Sequence, residues 1–229
     1  MGNNTISGSS TNQQQAYDFI RDQILNLGFK PGECLTDTQI AAQLNMSRTP
    51  VREAFYRLEK EGLLINEARR GWKVYTLSLE DIHEIFDIKE AIEGMIARKA
   101  SECQSEELRS DLRIALKSMD EAATSGNTEA WLQADIRLHN VLYEMADNDR
   151  AYRIITNLND QWHRLRIGFV AMQSRTTRSV EEHNDFIDAI LDGDGEKAEE
   201  LMRSHLNRVR EELVYLLKTV VLPFVNKGV

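Results

Sequence analysis

The chain has 229 residues, 41% of them hydrophobic and 28% charged, with a net charge of -9. This balance excludes a natively disordered chain. It also excludes a protein that grips nucleic acid over its whole surface, because phosphates repel an acidic surface. The longest apolar stretch, around "YLLKTVVLPFV", is interrupted by Lys218 and Pro223 and is too short to span a bilayer, so no membrane partner is expected. No basic start followed by an apolar run suggests a secretory signal. Cys34 and Cys103 lie far apart, form no metal-type pair and fit a reducing cytoplasm.

Residues 1–12 are polar and uncharged and read as a disordered arm. Gln13 to Leu27 is an amphipathic helix, with Ala16, Phe19, Ile20, Ile24 and Leu27 on one side. "GFKPGECL" reads as a turn. A short helix from Thr38 to Leu44, a tight turn through Asn45 and Met46, and a second helix ending near Glu61 follow. Ser47 can cap that second helix, and Pro50 sits in its first turn, where a missing N–H costs least. Ala54, Phe55 and Leu58 face inward, and Arg48, Thr49 and Arg52 crowd the helix's N-terminal end. In a helix-turn-helix that end enters the major groove, where arginine can reach guanine edges and Ser or Thr can hold phosphate. "LLINEARRGWKVYTL" alternates as a β-ribbon around Arg69, Arg70 and Gly71, a basic wing beside the helices. A plain three-helix unit with solvated arginines has the same periodicity. Residues 16–76 carry nine Lys and Arg against eight Asp and Glu, whereas residues 77–229 carry nineteen against twenty-nine. DNA contact is therefore expected of the first region alone.

The segment "PGECLTDTQIAAQLNMSRTPVREAFYRLEKEGLL", with "SRTPVREA", "EGLL" and the "RRG" wing in register, closely resembles the DNA-binding domain of the GntR family of bacterial transcription regulators. The resemblance runs from about Gln14 to Thr76. It implies that Ser47, Arg48, Thr49 and Arg52 read double-stranded DNA, with Arg69, Arg70 and Gly71 in the wing. Some relatives carry arginine where this chain has Thr38.

From Ser78, a plausible N-cap with Asp81 three residues on, long helical periods replace the glycine- and proline-punctuated pattern. Breaks are expected at "CQSEE", "TSGNTE", "DNDR", "SRTTRS" and "DGDGE", which gives about six helices and no convincing strand. The predicted fold is mostly α: a winged helix-turn-helix over 13–77, then an antiparallel helical bundle over 78–229. Three histidines fall on or beside inward stripes: His139 with Leu138, Leu142 and Met145; His183 with Val180, Ile187 and Ile190; His205 with Leu201, Met202 and Val209. His83 and His163 align less well. A lone histidine on an apolar face is usually a satisfied core residue. Three of them, with Asp135 one turn before His139, form a different pattern. Asp and His at i, i+4 project from one face and can chelate one ion, and two further imidazoles complete an N3O set. Zinc comes first among the candidates, with Ni, Mn, Co or Fe also suited.

"DIRLHNVL" and "EEHNDFIDAILDGDGEKAEELMRSHL" resemble the helical effector-binding domain of the FadR-like GntR subgroup, the FCD domain, over about Ser78 to Leu217. That resemblance implies Asp135, His139, His183 and His205 as metal ligands and a small carboxylate effector held at the metal. A homodimer on a near-palindromic operator is expected because one winged helix gives limited affinity and dimers read two half-sites. Many relatives have arginine where Lys89 stands, and lysine is a point charge rather than a planar fork. Arg166 is a second candidate for the effector's charge, although a surface salt bridge explains it equally well. A hydrolytic metal site would need a general base, and Glu181 and Glu182 read equally well as solvated surface. The expected function is a regulator, a repressor more than an activator, and no enzyme. Its rivals are a sensor of the metal itself, a structural metal and, least of all, a metal-dependent hydrolase.

Overall fold

The computed structural model describes the backbone of residues 6–67, 71–170 and 173–221, and the side chains of 12–67, 71–163 and 176–219. The chain divides into two compact units, one of Met1–Leu77 with Asp160–Arg164 and one of Ser78–Asn159 with Leu165–Val229. The described residues form nine α-helices and one small antiparallel sheet.

The first unit opens with α1 (Ile6–Leu25). It begins within the stretch expected to be a disordered arm. That stretch lacks proline, so nothing prevents the amphipathic part from propagating the helix backwards. Ala16, Tyr17, Ile20 and Ile24 supply its buried stripe. Strand β1 (Cys34–Leu35) lies where only a turn was expected. Its Leu35 is buried, and its backbone joins the edge of β3, so tertiary pairing sets this strand rather than local pattern.

Helix α2 (Asp37–Gln43) starts in a capping box: Thr36 accepts from the Gln39 N–H while the Gln39 side chain accepts from Thr36 N–H. The turn runs through Asn45 in the left-handed region at φ 52°, a conformation asparagine tolerates. Helix α3 (Arg48–Lys60) buries Val51, Ala54, Phe55 and Leu58. It is tied to α1 where the Tyr17 hydroxyl donates to Glu61 Oε2 at 2.8 Å and the Arg57 guanidinium covers the Tyr17 ring at 3.6 Å. Burial, reinforced by the hydrogen bond to Glu61, pushes the Tyr17 phenol up to about 12.

Strands β2 (Leu64–Glu67) and β3 (Gly71–Val74) pair antiparallel with Leu64 opposite Val74 and Glu67 opposite Gly71, and the sheet order is β1-β3-β2. Trp72 turns inward against Phe55, with Tyr56 edge-on to it. Gly71 sits at φ 92°, and a Cβ there would meet the Leu35 carbonyl oxygen at 2.8 Å, so only glycine fits. The winged helix-turn-helix is thus present.

The second unit is a helical bundle of α4 (Leu79–Ala100), α5 (Glu106–Thr124), α6 (Thr128–Ala146), α7 (Asp149–Val170), α8 (Gln173–Asp192) and α9 (Gly195–Leu216), closed by a π-helical turn over Leu217–Val221. Ser78 caps α4 in a capping box with Asp81. Ser105, Asn127 and Asp194 cap α5, α6 and α9. Helix α9 packs along α4 and beside α8, α5 pairs with α6, and α6 also meets α4 and α8. The break expected at "SRTTRS" is instead helical, inside α8. Thr176 and Ser179 are buried there, so these polar residues belong to the packed face rather than to a loop.

Candidate functional site

Two arrangements of side chains stand out, one in each unit. In the first, Ser47, Arg48, Thr49 and Arg52 are all exposed at the N-terminal end of α3. Ser47 occupies the N-cap position in extended conformation, but its side chain makes no capping bond, contrary to the capping role expected of it. The backbone alone starts the helix, and the hydroxyl stays at the surface. Arg48 and Arg52 converge on one carboxylate oxygen, Asp37 Oδ2, at 2.9 and 2.5 Å. Gly71 begins β3 in the wing, and Arg69 and Arg70 lie outside the described residues.

In the second unit, α6 contributes Asp135 and His139, α8 contributes His183, and α9 contributes His205. One ring nitrogen from each of the three histidines lies within 4.8 Å of the others. Asp135 borders this group: its Oδ1 is 3.2 Å from His183 Nε2 and 4.0 Å from His139 Nε2. The cluster is dry. His183 is fully buried, and Asp135 and His205 are nearly so.

The outward nitrogens are already committed. His183 Nδ1 lies 2.6 Å from the Ser179 carbonyl oxygen, which can only accept, so this nitrogen carries the proton. His205 Nδ1 donates to Glu182 Oε2 at 2.7 Å. His139 Nδ1 lies 3.2 Å from Glu93 Oε2, in ion-pair range but off ideal hydrogen-bond alignment. With Nδ1–H facing an acceptor, each neutral ring keeps its lone pair on Nε2. The Nε2 of His183 then faces the Asp135 carboxylate, acceptor against acceptor. A proton or a metal cation between them resolves that repulsion. Carboxylates and carbonyls that orient ligand imidazoles are the usual outer shell of a metal site. The donor set of three imidazoles and one carboxylate therefore fits a divalent transition metal.

Lys89 and Glu93, one turn apart on α4, form a buried ion pair, and Lys89 Nζ also donates to Asn159 Oδ1 at 2.5 Å. Burial alone would raise the Glu93 carboxyl, but the Lys89 charge and His139 hold it far below the usual carboxylate range. Lys89 is thus engaged with a carboxylate of its own chain. The Arg166 side chain lies outside the described residues.

Sequence reasoning missed Glu93, and Glu182 is buried rather than solvated. Arg208 Nε pairs with Glu182 Oε1 at 2.9 Å, and Arg178 Nε lies at 3.6 Å, which explains how a carboxylate tolerates that burial. A signal for Glu93 existed: it falls four residues after Lys89 on a stripe that includes Ile82, Phe86 and Ala97.

Comparison with known proteins agrees with both units. Residues 12–74 match the family described as Bacterial regulatory proteins, gntR family, and residues 84–208 match the FCD domain. The chain is 27% identical to the uncharacterized HTH-type transcriptional regulator YdhC of Bacillus subtilis, over 89% of this chain and 92% of that protein. It is 28% identical to the HTH-type transcriptional repressor RspR of Escherichia coli, over 87% of this chain and 88% of that protein. The solved structure of E. coli McbR/YncC superposes with a TM-score of 0.75 at 20% identity, covering 89% of this chain and 97% of that one, a likeness of fold. A winged helix joined to an all-helical domain of this kind defines a DNA-binding transcription regulator, not an enzyme. The chain belongs to the GntR family, with an FCD domain as its second part.

Proposed function

We propose that the chain is a repressor whose operator binding is modulated by a small organic acid, held at a divalent metal bound by Asp135, His139, His183 and His205. The observation that carries this reading is the convergence of three imidazoles whose Nδ1 atoms are turned to Glu93, Ser179 and Glu182. A bound ion would supply a Lewis-acidic docking point for a carboxylate oxygen. Zinc is the first candidate. Lys89 and Arg166 are the proposed partners of the effector's charge, with Lys89 exchanging Glu93 and Asn159 for the incoming acid. Ser47, Arg48, Thr49 and Arg52 enter the major groove, and Arg69, Arg70 and Gly71 form the wing that reaches the backbone. Two copies read the two halves of a near-palindromic operator, since one such module gives limited affinity. Effector binding shifts the bundle between two arrangements with different operator affinities.

Replacing His139 and His205 together with Ala is expected to abolish stoichiometric metal, measured by elemental analysis, and the effector response, while DNA binding persists. Retention of one metal per chain would show the ligand assignment to be wrong. One observation favours a second reading, in which the metal itself is the signal: the Lys89 charge is already matched by Glu93. Operator affinity would then follow free metal concentration with no organic acid present.

A further inference from the structure

The carboxylate of Asp37 is an unexpected group to find among residues that face an anionic partner. It is the first residue of α2, and its side chain is only 13% exposed, against 54% for Arg48 and 58% for Arg52. Its Oδ2 takes both arginines, Arg48 at 2.9 Å and Arg52 at 2.5 Å. Its Oδ1 accepts from the Thr38 hydroxyl at 3.3 Å. The helix start does not depend on it, because Thr36 and Gln39 form the capping box. An exposed pair of this kind adds little to stability. Its effect on two nearby guanidiniums is larger. Each has five N–H donors in a planar fork, and a carboxylate on one edge fixes the direction of the rest. The same charge repels phosphate from the mouth of α3.

We infer that Asp37 is a specificity-determining residue: it positions Arg48 and Arg52 for base edges and keeps them from settling on the DNA backbone. Without it, both guanidiniums are free to follow phosphates, which carry no sequence information. The inference rests on the proposed DNA-reading role of Arg48 and Arg52.

The test uses the full chain and an operator selected by the wild type from a random duplex pool. Affinities for that operator and for random duplex are measured across a salt series. Asp37→Asn is expected to raise random-duplex affinity and to lower the operator-to-random ratio by about tenfold, the weight of one lost bidentate base contact. The salt dependence of random-duplex binding should steepen by about 0.9 for each guanidinium that moves to a phosphate. Asp37→Glu should restore most of the ratio. In the Arg48→Ala/Arg52→Ala background, Asp37→Asn should leave the operator-to-random ratio unchanged, because the lost negative charge then acts on both DNAs alike. A merely structural role would weaken both DNAs alike, and thermal unfolding of each variant identifies that case. An unchanged ratio and slope in Asp37→Asn would overturn the inference while the DNA-reading role of α3 stands. Unchanged operator binding in both single arginine variants would instead remove that role, and the inference with it.

Discussion

Each of the three clustered imidazoles presents one nitrogen to an acceptor and the other to the cluster, and the acceptors differ in strength. Glu182 is the most elaborate, since it holds His205 and is itself held by Arg208. Outer-shell groups of this kind commonly change metal affinity by 10–100-fold. Glu182→Gln is therefore expected to weaken metal binding by about tenfold or more, measured by competition against a chromophoric chelator; equal affinity would argue against the assigned orientation of His205. The candidate ligands were readable in the sequence because an ionisable residue on an apolar stripe interrupts a pattern. Glu93 and Glu182 were harder to read. A glutamate next to other charged residues on a helix looks solvated: the cation that holds Glu182, Arg208, is brought up only by the fold, whereas Lys89 lies one turn from Glu93 on the same helix and only the burial of that pair is hidden from the sequence. Tyr17 illustrates the same dependence on context. Its phenol is raised to about 12 by burial, so the unfolded chain releases that proton first as pH rises. Its contribution to stability is complete below about pH 10 and is lost through pH 12. Tyr17→Phe should flatten the loss of denaturant resistance between about pH 10 and about pH 12, followed by urea titration at each pH.

At the level of elements, the winged helix depends on a backbone position as much as on its apolar core. Gly71 opens β3 at a positive φ while the Leu35 carbonyl closes over it. Gly71→Ala should cost about 1–3 kcal/mol, seen as a lower urea midpoint of the first unit, because both backbone strain and a close contact act at one residue. Displaced β1–β3 pairing should accompany it, visible as faster amide exchange at Leu35 and Trp72. The α-helices were largely legible because an amphipathic stripe repeats over several turns. Two elements were not. Strand β1 contains two residues, too few for any alternation, and exists because β3 offers an edge. The start of α8 looked like a loop because Ser, Arg and Thr dominate "SRTTRS", but burial of Thr176 and Ser179 draws those residues into the bundle. Ser179 then supplies the carbonyl that orients His183.

For the whole molecule, the uneven distribution of charge restricts how it can meet DNA. The acidic bundle, with ten more acidic than basic residues over 77–229, is repelled by phosphates, and the first unit carries nearly balanced charge. On the proposed dimeric reading, affinity comes from a few placed contacts repeated in a second copy. Footprinting on a selected operator is expected to show two protected half-sites about 34–36 Å apart, or a multiple of that spacing. Protection of a single half-site by one chain would contradict the dimeric reading.

The histidines that meet in the bundle arrive from α6, α8 and α9, and 65 residues lie between His139 and His205 in the chain. An ion shared by them would be a removable cross-link, closing a long chain loop as a disulfide does but without covalent chemistry. Chelation should then do more than empty a pocket. Amide protons in α6, α8 and α9 should lose protection together, although α6 is remote in sequence from the other two, because a single knot would have been untied.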